Sequence, residues 1–311
     1  MVHRSPGALL SPPVPAAGQR CAVLGHPVGH SLSPLLHRAA YAELGLDWTY
    51  DAVDVDADGL GAFLTGTGRP GSSWRGLSLT MPLKWAVLPL LDELDPVAAT
   101  VGSVNTVVFG PHRPGAAPLR RGANTDVAGV RATLSGRPTG SVVVLGAGAT
   151  ACSVVAGLPA DSHLTVLARD PARADRLRAL ADLLERPVRV GRLGDDVGHR
   201  PDVLVSTLPG GALDGEVLAG LGDALMPGPD GTVFDAVYAG WPTPLALAAT
   251  VTGALVLSGL DLLVHQAVEQ VHLMTGHPVA PRVLGAALVA AGVAGSAALA
   301  ARLDGHAADL P

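Results

Sequence analysis

The chain has 311 residues, enough for two substantial cores, with 48% hydrophobic and 15% charged residues and a formal net charge of -6. The acidic balance argues against nucleic acid or an anionic membrane as a partner. No run free of charge and proline reaches the roughly 20 residues of a membrane span; the nearest, Val283–Ala301, is rich in alanine and glycine and reads as a packed helix.

Residues 1–18 hold four prolines without an apolar core of signal-peptide length and read as a disordered tail. Cys21–Gly25 is a short apolar strand. After the turn His26–His30 comes Ser31-Leu32-Ser33-Pro34, then a helix marked by Leu35, Leu36, Ala39, Ala40 and Leu44. Ser33 fits its N-cap, Pro34 its first position and Gly45 its stop. Ser31 and Ser33 therefore read in two ways: as capping and turn residues, or as paired hydroxyls at a helix N-terminus suited to a carboxylate.

Trp48–Val55 alternates as a half-buried strand, Asp56–Thr65 is a second helix, and Arg75–Leu79 is another strand. Thr80-Met81-Pro82 then opens a helix with Lys84 in its first turn, where the positive end of the helix dipole eases loss of the ammonium proton. Of 21 basic residues, 20 are arginine and Lys84 is the one lysine. Arginine supplies charge but releases no proton, so a lysine kept at this turn points to proton transfer. Ala99–Thr106 runs into the strand Val107–Phe109, and Gly122–Asp126 leads into the helix Val127–Leu134. Asp126 reads either as that helix's N-cap or, with Asn105, as a polar group aimed into a cleft.

From Ser141 the pattern changes. Strands are predicted at Val142–Leu145, Leu164–Ala168, Val188–Val190, Val203–Thr207, Val233–Ala236 and Leu255–Leu257, with helices between several of them, Pro171–Leu184 the clearest. Six short apolar strands with helical crossovers describe a doubly wound, Rossmann-like parallel sheet. The stretch S-V-V-V-L-G-A-G-A-T-A (Ser141–Ala151) is a strand, a tight turn and a helix start, the G-x-G-x-x-A form of a turn that can hold a dinucleotide pyrophosphate. At the tip of the second strand stand Arg169, Asp170 and, a turn later, Arg173. An arginine there accommodates the 2′-phosphate of NADP, so NADP is favoured over NAD even though Asp170 would repel a phosphate.

Gly259–Thr275 forms a helix with Gln266 on its flank, and Pro281–Leu303 gives the last helix. Both follow the sheet and are expected to pack back on the first half. The resulting division is a substrate-binding α/β domain of residues 19–126 completed by 259–311, and a dinucleotide-binding domain of residues 127–258. His26 and His30 are four apart but lie in a loop, which disfavours a metal site, and no G-x-S-x-G elbow supports a serine hydrolase. Cys21 and Cys152 sit in apolar contexts with no disulfide framework, consistent with a cytoplasmic protein.

The blocks G-H-P-V-G-H-S-L-S-P (Gly25–Pro34), L-T-M-P-L-K (Leu79–Lys84), V-N-T (Val104–Thr106), N-T-D-V-A-G (Asn124–Gly129) and G-L-D-L-L-V-H-Q (Gly259–Gln266), with the glycine turn, are similar in order and spacing to shikimate dehydrogenases over about Cys21 to Leu303. The resemblance implies reversible reduction of 3-dehydroshikimate to shikimate by NADPH in aromatic (chorismate) biosynthesis. By that resemblance Ser31 and Ser33 bind the substrate carboxylate, and Thr80, Asn105 and Gln266 the ring hydroxyls. By the same resemblance Lys84 and Asp126 are the acid/base pair, Tyr238 lines the cleft, Gly146, Gly148 and Ala149 lie under the pyrophosphate, and Arg169 and Arg173 take the 2′-phosphate. The partners implied are small molecules, on a monomer or homodimer. Quinate/shikimate and amino-shikimate dehydrogenases, or a non-catalytic ligand sensor on the same fold, are the alternatives. The chain departs from the family pattern at Ala168-Arg169-Asp170, at Ser78-Leu79-Thr80 and at Asp261.

Overall fold

The computed structural model describes residues 18–307, apart from residue 70, residues 111–115 and residue 222. The tail expected at residues 1–18 thus lies, but for Gly18, outside the described residues.

Two six-stranded sheets organise the chain. The first contains β1 (Arg20–Gly25), β2 (Thr49–Asp54), β3 (Trp74–Leu79), β4 (Glu93–Leu94), β5 (Thr106–Phe109) and β6 (Arg120–Ala123) in the order β2-β1-β3-β5-β6-β4. β1 runs parallel to β2 and β3, whereas β5 is antiparallel to both β3 and β6. Its helices are α1 (Ser33–Glu43), α2 (Leu60–Thr67), the one-turn α3 (Leu83–Ala86) and α4 (Pro96–Val101). One core packs Leu24, Leu60, Leu64, Leu77, Leu83 and Phe109 together.

The helix α5 (Asp126–Thr133) leads to the second sheet, built from β7 (Ser141–Leu145), β8 (His163–Ala168), β9 (Val188–Arg192), β10 (Val203–Ser206), β11 (Thr232–Asp235) and β12 (Leu255–Ser258). All its neighbours pair in parallel, in the order β9-β8-β7-β10-β11-β12. In sequence terms this is 3-2-1-4-5-6, the dinucleotide-fold order. Both faces are covered, so β7 is apolar from Val142 to Leu145. Val142 and Val144 enter one core with Val154 and Leu177, while Val143 and Leu145 enter another with Leu204 and Leu245. The covering helices are α6 (Ala149–Gly157), α7 (Asp175–Leu183), α8 (Gly215–Leu221) and α9 (Pro244–Thr252).

The chain returns through α10 (Gly259–Thr275), followed by α11 (Pro281–Ala290) and α12 (Ser296–Ala307). These pack on the first half as expected: Val264, Val271, Leu284 and Leu288 meet Leu36 and Ala40 of α1. α10 also lies close on β3, where a Cβ added at Gly76 would come 2.5 Å from Met274 Cγ. The two connecting helices touch at Gly129, whose added Cβ would stand 2.8 Å from Leu262 Cδ1.

Some boundaries differ from the sequence reading. The last helix is two, broken where Gly292 and Gly295 take φ of +67° and +84°. Pro171–Ala174 is a 3-10 turn ahead of α7 rather than its first turn. α2 starts at Leu60 because the Asp56 carboxylate accepts from the Gly59 N–H at 2.8 Å and holds a turn there.

Candidate active site

The end of β3 sets the first functional group. The Thr80 carbonyl accepts from Leu83 N–H at 2.8 Å, and the Lys84 carbonyl accepts from Val104 N–H at 2.9 Å, which ties the α3 turn to the segment before β5. Lys84 Nζ then donates to Asp126 Oδ2 at 2.5 Å, with the two side chains 17% and 5% exposed. Because α3 has only four residues, the dipole contribution expected from the sequence falls away, and Asp126 is the electrostatic partner of the lysine. Nor does Asp126 act as a cap. Asn124 Oδ1 accepts from Val127 N–H at 3.2 Å, leaving the Asp126 carboxylate to face Lys84 and Asn105.

Asn105 is the hub of the buried polar cluster. Its Oδ1 accepts from Thr125 N–H at 2.8 Å and from the Thr106 hydroxyl at 2.9 Å, which turns its NH2 towards Asp126 Oδ1 at 2.8 Å and Gln266 Oε1 at 3.4 Å. Gln266 is therefore buried beside the Lys84–Asp126 pair rather than solvated on the helix flank. One turn further along α10, Gln270 donates to Thr106 Oγ1 at 3.0 Å and accepts from the Ser78 hydroxyl at 2.7 Å. Ser78 accepts from Tyr50 at 2.6 Å, and Ser33 lies next to the Tyr50 phenol. A hydrogen-bonded chain thus runs from Tyr50 to Lys84. Burial raises the Tyr50 phenol well above its usual range and holds it neutral.

Ser33 is not the N-cap: it is the first residue of α1, Leu32 precedes it, and the Ser33 carbonyl accepts from His37 Nδ1 at 3.0 Å. His37 is fully buried and stacks on Tyr50 with ring centroids 4.0 Å apart; burial lowers its pKa to about 4. Ser31 sits against Tyr238, whose phenol bonds the Ser31 side chain and the Leu32 backbone and is raised by burial. Thr80 is half-buried, its methyl resting on Gly25, where an added Cβ would come 2.3 Å from Thr80 Cγ2. His26 pairs with Asp54 at 2.5 Å and not with His30; that hydrogen bond raises the histidine and lowers the carboxylate.

The glycine turn lies across the second sheet. Gly146 has φ +107°, and a Cβ there would meet Thr207 Oγ1 at 2.5 Å, so this position admits only glycine. No heavy atom lies within 4 Å of an added Cβ at Gly148, and α6 starts at Ala149 with no side-chain cap on its N-terminus. Thr207 follows β10, so the turn spans the neighbours β7 and β10, where the strand order reverses and such folds bind ligands. Arg169 and Arg173 are exposed beyond β8. Asp170, which the sequence reading set against a phosphate, instead accepts from Ala172 N–H at 3.1 Å and pairs with Arg173 at 3.6 Å. An open glycine cradle, uncapped helix N–H groups and two exposed guanidinium groups fit a phosphorylated dinucleotide.

The model of the shikimate dehydrogenase substrate binding domain matches residues 23–107. A shikimate dehydrogenase (NADP(+)) of Halorubrum lacusprofundi is 37% identical over 276 residues, covering 86% of this chain and 96% of that protein. The chain belongs to the shikimate dehydrogenase family. A second family member, from Moorella thermoacetica, is 38% identical over 82% of this chain and 87% of its own length. The crystal structure of the Mycobacterium tuberculosis shikimate dehydrogenase superposes with a TM-score of 0.74 at 40% identity, covering 88% of this chain and 99% of that one. That of the Thermus thermophilus enzyme in complex with NADP(H) and shikimate gives 0.71 at 33% identity, over 86% and 98%.

Relative to the shikimate dehydrogenase blocks, the structure joins Lys84, Asp126, Asn105 and Gln266 in one hydrogen-bonded cluster and extends it, towards Ser33, through Gln270, Ser78 and Tyr50. The last three, with Thr106 and Thr125, are site residues that the sequence reading missed. Only Gln270 left a signal, four residues after Gln266 on the same helical face. The departure at Asp261 has a structural role: it completes the capping box of α10 with Ser258 and takes Arg302 of α12 at 2.6 Å.

Proposed function

We propose that this protein catalyses the reversible, NADP-dependent reduction of 3-dehydroshikimate to shikimate. The observation that carries the reading is the Lys84–Asp126 pair, 2.5 Å apart, at the centre of a buried polar cluster in a shikimate dehydrogenase family member. Gly146, Gly148 and Ala149 would hold the pyrophosphate, and Arg169 and Arg173 the 2′-phosphate. When bound, NADPH supplies a hydride to the ketone carbon.

The protein's own groups do the rest. Reduction leaves negative charge on the ketone oxygen, and the Lys84 ammonium donates a proton to it; in the reverse direction the neutral amine takes that proton back. Asp126 holds the ammonium in place and compensates its charge, while Asn105 fixes the carboxylate. The Ser31 and Ser33 hydroxyls donate to the substrate carboxylate, with Tyr238 beside them. Thr80, Asn105 and Gln266 hydrogen-bond the ring hydroxyls. In this reading residues 19–126 with 259–311 bind substrate and residues 127–258 bind cofactor. The enzyme works in the cytoplasm on small molecules, as a monomer or homodimer; no described helix is long and apolar enough to cross a membrane.

A steady-state assay of shikimate and quinate with NADP and with NAD tests the assignment. The expected result is the highest kcat/KM for shikimate with NADP. Faster turnover of quinate with NAD would overturn the substrate and cofactor assignment, and a folded protein that binds shikimate but turns over neither acid would make it a sensor.

A further inference from the structure

The residue after Lys84 makes a contact across the molecule. Trp85 is half-buried on α3, and the exposed Arg176 of α7 places its guanidinium carbon 4.8 Å from the Trp85 ring centroid, a cation–π geometry. α7 also packs on α4, so the helix that follows the β8 tip rests on the first half of the molecule at two places.

The position of Arg176 in sequence gives the contact its meaning. Arg169, Asp170 and Arg173 precede it in the strand tip and the 3-10 turn, and α7 begins at Asp175 without a break. Arg173 rests against Asp170 at 3.6 Å, both exposed. A 2′-phosphate arriving there competes with Asp170 for Arg173, and any resetting of that turn passes directly into the first residues of α7. Arg176 is the second of them, and its partner is covalently next to the proton donor.

Building on the proposed NADP-dependent activity, we infer that Arg176 and Trp85 are positioning residues that couple recognition of the cofactor 2′-phosphate to the placement of Lys84. Neither touches the reacting atoms. The pair transmits, through one cation–π contact, whether the phosphate-reading turn is engaged. NADP engages it, and NAD, lacking the phosphate, does not.

The test uses the full chain and its tryptophan emission. Trp48, Trp74 and Trp241 are the other tryptophans, so Trp85→Phe isolates the reporter by difference. Titration with NADP is expected to change the emission of the parent protein, to leave Trp85→Phe largely silent, and to do so far more than NAD at matched occupancy. Arg176→Gln, an exposed substitution that leaves the fold alone, is expected to remove most of the response and to lower kcat for shikimate oxidation about two- to fivefold, the worth of one exposed cation–π contact. Arg176→Lys, which keeps a cation, restores both in part.

An unchanged response in Trp85→Phe, equal responses to NADP and NAD, or normal kcat and emission in Arg176→Gln would each overturn the coupling. Calorimetric titration separates this from failure of the parent reading. NADP binding without a Trp85 response defeats the coupling alone, whereas no NADP binding defeats the proposed function and the coupling with it.

Discussion

Replacing Lys84 by alanine removes the proposed proton donor and leaves Asp126, 5% exposed, with Asn105 Nδ2 as its remaining hydrogen-bond donor at 2.8 Å. A positioned general acid contributes about 10²–10⁴ to such a step, or about 3–5 kcal/mol of barrier at 1.36 kcal/mol per tenfold. The variant also loses the attraction of the ion pair, about 4 kcal/mol for charges 4 Å apart at an effective dielectric of 20. Most of that is offset, because the ammonium no longer has to be desolvated and water can enter where the lysine side chain stood. A stability loss of about 1–3 kcal/mol is expected beside the much larger loss in turnover. Lys84→Arg separates the two effects: it keeps a cation on Asp126 and so most of the stability, but a guanidinium cannot give up its proton. Steady-state shikimate oxidation with NADP, run beside thermal melts, should show kcat down at least about 100-fold in both variants. Shikimate KM should move little, and Tm should be near normal only in Lys84→Arg. Near-normal kcat in Lys84→Arg, or a loss confined to KM, would remove the lysine from proton transfer.

Gly146→Ala forces a side chain into φ +107° and against Thr207 Oγ1, so NADP binding measured by calorimetry should weaken about tenfold or more while shikimate binding is unaffected. His37, held neutral by burial with a pKa near 4, makes stability pH-dependent. Between about pH 6.5 and pH 4 the unfolded chain takes up a proton that the folded chain does not. Stability therefore falls on acidification through that window, by at most about 3 kcal/mol, and urea midpoints of His37→Gln should depend on pH less steeply there. Arg302→Ala strands the buried Asp261 carboxylate with only its Ser258 cap and should cost about 3 kcal/mol in urea unfolding; Arg302→Ala combined with Asp261→Asn should recover part of it.

Much of this fold was legible because it rests on local signals. The apolar runs of β7, β8 and β10 and the glycine turn between β7 and α6 are written in adjacent residues, and the parallel order follows from the helical crossovers between them. The lone lysine stood out by composition. What escaped was either too short or too distant in sequence. β4 is two residues, and β6 reads Arg-Arg-Gly-Ala, with no β-branched residue to mark it. Pro281–Leu303 keeps helical spacing through Gly292 and Gly295, so only their left-handed backbone reveals the break. Gln270 reaches Ser78 across 192 positions, and Arg302 reaches Asp261 across 41, separations over which periodicity carries no information. The Ser33 cap failed for a local reason: the helix begins one residue earlier, with Leu32 at the cap position.

The close approach of α5 and α10 at Gly129 bears on how the enzyme can open. Among the described residues the chain passes between the two sheets in these helices alone, so a rotation of one half against the other turns about them, as about the pin of a door. Displacement grows with the lever arm. Asp126 at the head of α5 and Gln266 within α10 lie beside this axis, Gln266 Cβ standing 3.1 Å from a Cβ added at Gly129. Such a rotation would leave Asp126 and Gln266 nearly in place relative to each other.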